Sequence, residues 1–162
     1  MAVNYGRDFD KNNFEFRPMM PKDVERVGCL ERKVFTRPWP ERAFLNDILS
    51  DRPVFYRVCY GEGGLIGYLG AHIEDEKMHI VNMAVEPSWQ RCGIGGELLK
   101  RALDFAQKNS IAEIYLEVRR SNQAAISLYK KYGFEEDSIR RNYYVRSGED
   151  AIIMVKGMTD NE

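Results

Sequence analysis

The segment from Gln90 to Gly96 has the composition of an anion-binding loop. It reads Gln-Arg-Cys-Gly-Ile-Gly-Gly, between a strand pattern that ends at Val85 and the start of a helical pattern. Glycines let backbone N–H groups point into one concavity, and a helix start adds partial positive charge there. This chemistry suits a pyrophosphate, although a plain glycine-rich turn fits the glycines equally well. Two common phosphate motifs are excluded, because no Gly-Lys-Ser/Thr follows and Leu98 stands where a dinucleotide fingerprint needs its third glycine.

Three side chains elsewhere, those of Glu117, His79 and Tyr129, have types and spacing that suit proton transfer. Glu117 is a carboxylate in the middle of a strand whose other face is apolar, which is uncommon; a catalytic role and a surface ion pair with Arg119 or another cation would both explain it. His79 lies one strand earlier, where a structural histidine is the commoner case. Tyr129 follows Asn122 by two helical turns on one face, and a packing tyrosine and a helix cap are the simpler interpretations of these two.

The apolar periodicity predicts helices and strands in the order β-α-α-β-β-β-α-β-α-β-β, which is typical of a mixed sheet with helices on its faces. Prolines end the first strand and break the helical pattern between Thr36 and Pro40, and Gly133 stands where a helix end needs a left-handed residue. We expect helices at about 21–35, 41–48, 95–106 and 123–132, and strands at about 14–17, 54–60, 65–73, 78–85, 114–118, 134–138 and 151–156, with 140–150 as a connection.

The composition is that of an ordinary globular chain. Its 162 residues are enough for one domain and few for two, and 44% are hydrophobic and 30% charged. Lysine and arginine number 24 against 25 aspartates and glutamates, so the net charge gives no reason to expect nucleic acid or an anionic membrane as a partner. Three widely spaced cysteines exclude a disulfide framework and a four-cysteine zinc site. We therefore expect a reduced, cytoplasmic protein.

The glycine-rich segment, taken with Asn82-Met83-Ala84-Val85 before it, resembles the acetyl-CoA loop of the GNAT superfamily of acetyltransferases. The match covers about residues 14–157 and is similar to the RimI branch, which holds bacterial ribosomal-protein-alanine acetyltransferases and the archaeal and eukaryotic N-terminal acetyltransferases. The other motifs that carry it are Leu116-Glu117-Val118-Arg119-x-Ser121-Asn122-x-Ala124-Ala125-Ile126-x-Leu128-Tyr129, Gly133-Phe134, Arg141-Asn142-Tyr143-Tyr144 and Gly148-Glu149-Asp150-Ala151.

The resemblance implies a single-domain GNAT fold of the α/β class, with a mixed, predominantly antiparallel sheet and helices on both faces. It places the acetyltransferase domain at 14–157, between a flexible arm at 1–13 and a tail at 158–162. The implied reaction is transfer of the acetyl group of acetyl-CoA to the α-amine at a protein N-terminus, by direct attack in a ternary complex. No metal is expected, because His79 and Glu117 are too few ligands for a zinc site.

The same resemblance implies which residues contact acetyl-CoA. The backbone of the strand end would pair with the pantetheine arm, the N–H of Val85 would face the thioester oxygen, and Asn122 would bond to the pantetheine. A plain buried strand is compatible with this role, because the pairing uses backbone alone. The complete set is Met83, Ala84, Val85, Gln90, Arg91, Cys92, Gly93, Ile94, Gly95, Gly96, Asn122 and Tyr129.

The resemblance also implies the catalytic residues. Glu117 matches the general base of the branch, which commonly works through water. His79 matches a catalytic position of archaeal and eukaryotic relatives and could share the proton relay. Tyr129 matches the general acid that protonates the departing thiolate. Because an α-amine has a pKa of about 7.7–8.0, only modest help is needed to deprotonate it.

Two aromatic stretches are expected to hold the acceptor peptide. Phe35, Arg37 and Trp39 lie in a stiff connection that contains two prolines, and Tyr143-Tyr144 lie where RimI-branch enzymes close a loop over the peptide. Such a slot would admit a chain end and resist a lysine flanked by chain on both sides, whereas the alternative is that these aromatics only seal a sheet edge. Archaeal relatives carry a glutamate where this chain has Arg37, so we expect their preferences not to transfer and basic second residues to be disfavoured.

The expected partners are protein or peptide N-termini, ribosomal proteins among them, and neither nucleic acid nor membrane; we expect a monomer or a weak dimer. Two other functions stay open at this point. One is acetylation of lysine side chains or small amines, and the other is a non-catalytic acyl-CoA-binding module, which the presence of Glu117 and Tyr129 disfavours.

Overall fold

The computed structural model describes residues 13–159, so most of the predicted arm at 1–13 and part of the tail at 158–162 lie outside the described residues. The predicted element order and the mixed α/β class are confirmed. The elements are β1 (Glu15–Pro18), α1 (Val24–Val34), α2 (Glu41–Leu49), β2 (Val54–Gly61), β3 (Gly64–Glu74), β4 (Lys77–Val85), α3 (Ile94–Lys108), β5 (Glu113–Arg119), α4 (Gln123–Lys131), β6 (Glu135–Tyr144) and β7 (Glu149–Gly157).

Seven strands form one sheet in the order β1-β2-β3-β4-β5-β7-β6. β1 and β2 are antiparallel, and β7 is antiparallel to both β5 and β6. The parallel pair is β4 with β5, whose ladder runs from Lys77 opposite Glu113 to Ile80 opposite Leu116. β4 continues beyond that ladder to Val85, so its last residues are the part of the strand that the ladder with β5 does not use.

By the density of their internal contacts, the described residues form two compact units. One comprises 13–71 and 82–99, and the other comprises 72–81 and 100–159. β3, β4 and α3 each pass from one unit to the other.

The first unit is built around the rings of Phe44 and Tyr68, whose centroids are 5.4 Å apart. The apolar stripe of α1 packs into this cluster. Pro38 and Pro40 keep the segment between α1 and α2 out of the helical conformation, as predicted, because a residue before proline is disfavoured in the α region. Pro21 lies in a short 3-10 turn before α1 rather than in the helix itself.

A buried carboxylate anchors the start of α1. Asp23 is 1% exposed and receives both guanidinium N–H groups of Arg17 at 2.7 Å, the hydroxyl of Tyr60 at 2.6 Å and the N–H of Met20 at 2.7 Å. Burial alone would raise the pKa of Asp23, but these hydrogen bonds outweigh it and hold the pKa at about 2. No local sequence pattern predicted this cluster.

The second unit contains the later part of α3, followed by β5, α4, β6 and β7. β5 alternates buried and half-buried residues, which confirms the predicted apolar face of Ile114, Leu116 and Val118. Gly133 has a φ of 92° after α4, as predicted for a helix end. The predicted connection at 140–150 is wrong in its first part, because β6 extends to Tyr144. This strand is exposed along nearly its whole length, so it lacks the alternating pattern by which strands are predicted.

Candidate active site

The end of β4 has two backbone N–H groups on the edge that faces away from β3. The N–H of Glu86, just past the strand, donates to the carbonyl of Ile66 on β3 at 2.8 Å. Successive N–H groups of a strand point to opposite edges, so those of Val85 and Met83 point away from β3. The side-chain oxygen of Asn82 accepts the N–H of Met83 at 3.1 Å. The N–H of Val85 therefore lies on the edge of β4 that β3 leaves open.

Side-chain hydrogen bonds hold the loop between β4 and α3. Gln90 donates from Nε2 to the carbonyl of Val85 at 3.1 Å, so its amide is engaged with the strand end. Glu86 pairs with Lys33 at 2.6 Å and accepts the N–H of Ser88 at 2.8 Å. The bonds from Lys33 and then Ser88 lower the pKa of the Glu86 carboxyl. The start of the loop is thus fixed against the strand that precedes it.

The backbone of this loop turns through two left-handed residues. Arg91 has a φ of 62° and Gly93 a φ of 89°. The left-handed region is uncommon for arginine, and a change of backbone handedness turns successive N–H groups into a concavity that suits anions. The first backbone bond of α3 joins the N–H of Glu97 to the carbonyl of Gly93 at 3.0 Å. The earlier N–H groups of the first helical turn precede this ladder, so no carbonyl of the helix accepts them.

The predicted acetyl-CoA residues fall in two places. Those from Met83 to Gly96 form one continuous stretch of the first unit, whereas Asn122 and Tyr129 belong to the second. In the first stretch Ala84 is buried, as the plain-strand interpretation requires, and Cys92 is a half-buried loop residue. α3 begins at Ile94, one residue before the predicted start.

His79 and Glu117 form a close pair in the second unit. Their Nε2 and Oε2 atoms are 2.6 Å apart, and 27% and 13% of the two side chains is exposed. The ring of His79 stacks on Tyr115, its register partner on β5, with centroids 4.4 Å apart. The alternative pairing of Glu117 with Arg119 is not found among the described residues. The two candidate proton acceptors are therefore in direct contact and still reach solvent.

Tyr129 packs as a core residue, and the structure gives its hydroxyl no hydrogen-bond partner among residues 13–159. The side chain is 7% exposed, and its ring meets that of Phe134 at 5.7 Å. Burial, and after it the nearby Tyr144, raises the pKa of Tyr129 to about 12. Asn122 caps α4, because its Oδ1 accepts the N–H of Ala125 at 3.2 Å. The packing and capping interpretations are both correct, and neither uses the hydroxyl of Tyr129.

The end of β6 brings Tyr143 and Tyr144 near Glu117. The two rings meet edge-on with centroids 5.0 Å apart. Burial and then the negative charge of Glu117 raise the pKa of Tyr143. Burial also raises the pKa of Tyr144, with Arg119 opposing and Glu117 reinforcing the shift. Two of the predicted acceptor residues therefore share an electrostatic environment with the predicted base.

Arg119 holds Tyr144 in place through contacts that were not predicted from the sequence. Its guanidinium carbon is 3.8 Å from the centroid of the Tyr144 ring, and its Nη1 is 3.3 Å from Oε2 of Glu149. Glu149 also accepts the N–H of Ser121 at 2.8 Å. These bonds tie the end of β5 to the β6–β7 hairpin. The sequence feature that could have indicated this contact is the opposite charge of Arg119 and Glu149, which lie 30 positions apart in the chain.

The three other predicted acceptor residues lie between α1 and α2 in the first unit. Phe35 and Trp39 are half-buried and pack against the core cluster, with the rings of Trp39 and Phe44 at 5.6 Å. Arg37 is exposed between them. The aromatic residues thus hold the connection to the core, and Arg37 is the member of the set that extends into solvent.

Glu31 is a polar residue of the core that was not predicted. It is fully buried and binds Tyr68, Asn82 and the backbone of Trp39. Burial raises the pKa of Glu31, and the three donors oppose that shift in part. The signal that could have found it is its place on the apolar stripe of α1, four residues after Val27.

Within the range 13–159 no group of three or more histidine, cysteine or carboxylate side chains is placed to hold a metal ion. In the same range, no helix has both the length and the apolar composition needed to span a membrane.

Comparison with known proteins finds the same fold in enzymes. The model of the acetyltransferase (GNAT) family matches residues 24–134. The ribosomal protein bS18-alanine N-acetyltransferase of Escherichia coli (strain K12) is 36% identical over 134 residues, which are 82% of this chain and 89% of the relative. The crystal structure of ribosomal-protein-S18-alanine N-acetyltransferase from Escherichia coli matches with a TM-score of 0.84 at 32% identity, over 92% of this chain and 96% of that one. Arabidopsis thaliana Naa50 in complex with the bisubstrate analogue CoA-Ac-MVNAL matches at 0.80 with 25% identity, over 90% and 99%.

Proposed function

This chain belongs to the acetyltransferase (GNAT) family, and from that premise we propose that it transfers the acetyl group of acetyl-CoA to the α-amine at the N-terminus of a protein. The predicted family and GNAT fold are confirmed, and the chain is an acetyltransferase. The acceptor and the catalytic residues are proposals that rest on the site.

The observation that carries the proposal is the contact of 2.6 Å between His79 and Glu117. A carboxylate and an imidazole that touch and still reach solvent can pass a proton from an incoming amine to water. At neutral pH an α-amine with a pKa of about 7.7–8.0 is mostly protonated, so its proton must leave before the nitrogen can attack. Glu117 acts as the base that removes it, directly or through water, and His79 orients the carboxylate and shares the relay.

The residues of the first unit fit acetyl-CoA, which supplies an activated acetyl thioester. The left-handed Arg91 and Gly93 and the first turn of α3 offer N–H groups to a pyrophosphate. The open edge of β4 offers backbone to a pantetheine arm. On that edge the N–H of Val85 donates to the thioester oxygen as negative charge develops there, and a fixed donor of this kind is usually a large catalytic contribution.

Tyr129 completes the reaction when the carbon–sulfur bond breaks and the electron pair stays on sulfur. Its hydroxyl has no hydrogen-bond partner in the described part of the chain, and its raised pKa keeps it protonated at any ordinary pH. It donates its proton to the departing thiolate and recovers one from solvent. Asn122 caps α4 and so stabilises the start of the helix that carries Tyr129.

The name of the Escherichia coli relative supports a protein acceptor with alanine at its N-terminus, as in ribosomal protein bS18. The test is acetylation of a synthetic peptide that begins with Ala and carries one internal lysine, followed by fragmentation mass spectrometry. We expect the acetyl group on the α-amine, and no product when that amine is blocked. Acetylation mainly at the internal lysine would contradict the proposal and favour a lysine or small-amine acetyltransferase. Binding of acetyl-CoA without turnover of any amine would favour a non-catalytic acyl-CoA module.

A further inference from the structure

We propose that Glu31 is a positioning residue that holds the acceptor-side connection between α1 and α2 to the acetyl-CoA edge of β4. The inference rests on the proposed function, because only under that function does this connection contact the acceptor peptide. Glu31 itself is 0% exposed and touches no solvent, so it acts through the groups that it binds.

Three donors from three segments converge on this one carboxylate. Oε1 accepts the hydroxyl of Tyr68 on β3 and the side-chain amide of Asn82 on β4, the latter at 2.7 Å. Oε2 accepts the backbone N–H of Trp39 at 2.9 Å. A buried carboxylate is strongly unfavourable unless donors surround it, so losing one of these bonds leaves the charge of Glu31 less compensated.

The bond from Trp39 is the backbone tether of the acceptor connection. Its neighbours Pro38 and Pro40 have no N–H, so Trp39 is the only backbone donor of that tripeptide. Between Thr36 and Pro40 no other backbone N–H has an acceptor among the described residues. Besides the packing of Phe35 and Trp39 on the core, the bond to Oε2 of Glu31 therefore holds the path of the connection, and with it the place of Arg37.

The other end of the cluster reaches the backbone of β4. Asn82 donates its amide to Glu31 and accepts the N–H of Met83 at 3.1 Å. A continuous chain of hydrogen bonds thus runs from the N–H of Trp39 through Glu31 and Asn82 to the N–H of Met83. The acceptor connection and the start of the proposed pantetheine edge are positioned by the same carboxylate.

Only a carboxylate can accept from both sides in this way. A glutamine has one acceptor oxygen and one NH₂ group. Its NH₂ group would therefore lie against another hydrogen-bond donor on one side of the cluster. The orientation that keeps two of the three bonds puts the oxygen toward Tyr68 and Asn82. Glu31→Gln should therefore release the N–H of Trp39 selectively and leave the β4 contact in place.

The experiment compares Glu31→Gln with Tyr68→Phe in the full chain. The second variant removes a donor from the same buried carboxylate but leaves the Trp39 bond intact, so it controls for general loss of stability. Amide hydrogen exchange of Trp39 is measured by NMR, together with KM for an Ala-starting peptide and KM for acetyl-CoA. Because a hydrogen bond to a buried charge is lost, we expect faster exchange of Trp39 and a peptide KM raised about fivefold or more in Glu31→Gln alone, with KM for acetyl-CoA within about twofold of wild type.

Three results would overturn the inference: unchanged Trp39 exchange in Glu31→Gln, an unchanged peptide KM despite faster exchange, or an equal rise of the peptide KM in Tyr68→Phe. Failure of the proposed function looks different, because the wild-type chain itself would then not acetylate the peptide.

Discussion

The guanidinium of Arg119 lies over the ring of Tyr144, 3.8 Å from its centroid, while the same group pairs with Glu149 at 3.3 Å. Arg119 ends β5, the strand that carries Glu117, and the two partners lie on either side of the β6–β7 turn. A cation over an aromatic face contributes about 0.5–1 kcal/mol at a partly exposed site. The hairpin is therefore fixed relative to the strand of the proposed base before any peptide binds.

Tyr144→Ala should raise KM for an N-terminal peptide about tenfold, which corresponds to a loss of about 1.4 kcal/mol of binding. The reason is the loss of a positioned ring and hydroxyl on the acceptor side, so the KM for acetyl-CoA should stay unchanged. Steady-state kinetics with both substrates measure the two KM values separately. Val145→Ala is the matched control, because Val145 is the next residue and is 86% exposed. An unchanged peptide KM in Tyr144→Ala would remove Tyr144 from the acceptor site.

Glu117→Gln should lower kcat by roughly 10²–10⁴-fold, the usual contribution of a positioned proton acceptor, with little change in acetyl-CoA binding. The acidic limb of the pH–rate profile should disappear or shift. Glu113→Gln is the control, because Glu113 lies on the same strand and its partner Lys77 is a surface residue at 3.6 Å. If His79→Ala alone removes the acidic limb and Glu117→Gln does not, the base is His79.

Tyr129→Phe should lower kcat far more than it weakens acetyl-CoA binding, because only the hydroxyl is lost and the ring still packs on Phe134. The acid form of Tyr129 is lost as the pH rises through its pKa of about 12. Its titration should therefore add no basic limb to kcat below about pH 10. Tyr132→Phe, on the same helix end, is the control. Wild-type turnover in Tyr129→Phe would leave Tyr129 with a packing role alone.

Replacement of both Gly93 and Gly95 by valine should abolish the stabilisation of the chain by acetyl-CoA. In the wild type, ligand at about 100 times its Kd should raise Tm by roughly 5–10 °C. Gly63→Val separates backbone strain from lost binding, because Gly63 has a similar φ of 95° and open space around it. That variant should lose stability and keep the ligand-induced shift. An undiminished shift in the double variant would exclude the loop from the acetyl-CoA site.

Asp23→Asn should lower the free energy of unfolding by roughly 3 kcal/mol at neutral pH, because Arg17 is left without its buried partner. The pKa of Asp23 is about 2 in the folded chain against an ordinary value of 3.8. Its stabilisation is therefore complete above about pH 4 and is lost as the pH falls toward 2. Urea unfolding at pH 7, 4 and 2.5 measures the difference in unfolding free energy between wild type and Asp23→Asn, which should shrink as the pH falls. The exposed Asp51→Asn should show no such difference.

Local patterns were enough to predict most elements of this fold. The alternation around Leu116, the proline break at Pro38 and the left-handed Gly133 each depend on neighbours within one element or turn, and all three predictions are confirmed. β6 was predicted too short because both of its faces are exposed. Without a buried face, polar and apolar residues need not alternate, and the strand between Arg140 and Tyr144 resembles a connection.

Local pattern alone predicted the candidate site only where one segment supplies the chemistry, whereas a shared role of His79 and Glu117 was expected from the family resemblance. The bend at Gly93 follows from a glycine-rich loop before a helix, and the face of Glu117 follows from strand alternation, whereas the left-handed Arg91 was not predicted. The partners of Glu31 stand 37 and 51 positions away in the chain, and no local pattern encodes such distances. Periodicity alone could show that a carboxylate interrupts an apolar stripe, but it could not show which groups donate hydrogen bonds to that carboxylate.

β6 lies at one end of the sheet, so one side of its backbone is open to any strand from another molecule. Two irregularities in its register with β7 and a run of charges make that pairing unfavourable. The charged residues are Glu135, Glu136, Asp137, Arg140 and Arg141. These irregularities and charges belong to the strand itself. The hairpin that we propose to receive protein chain ends can therefore remain uncovered without pairing edge to edge with further copies of the chain.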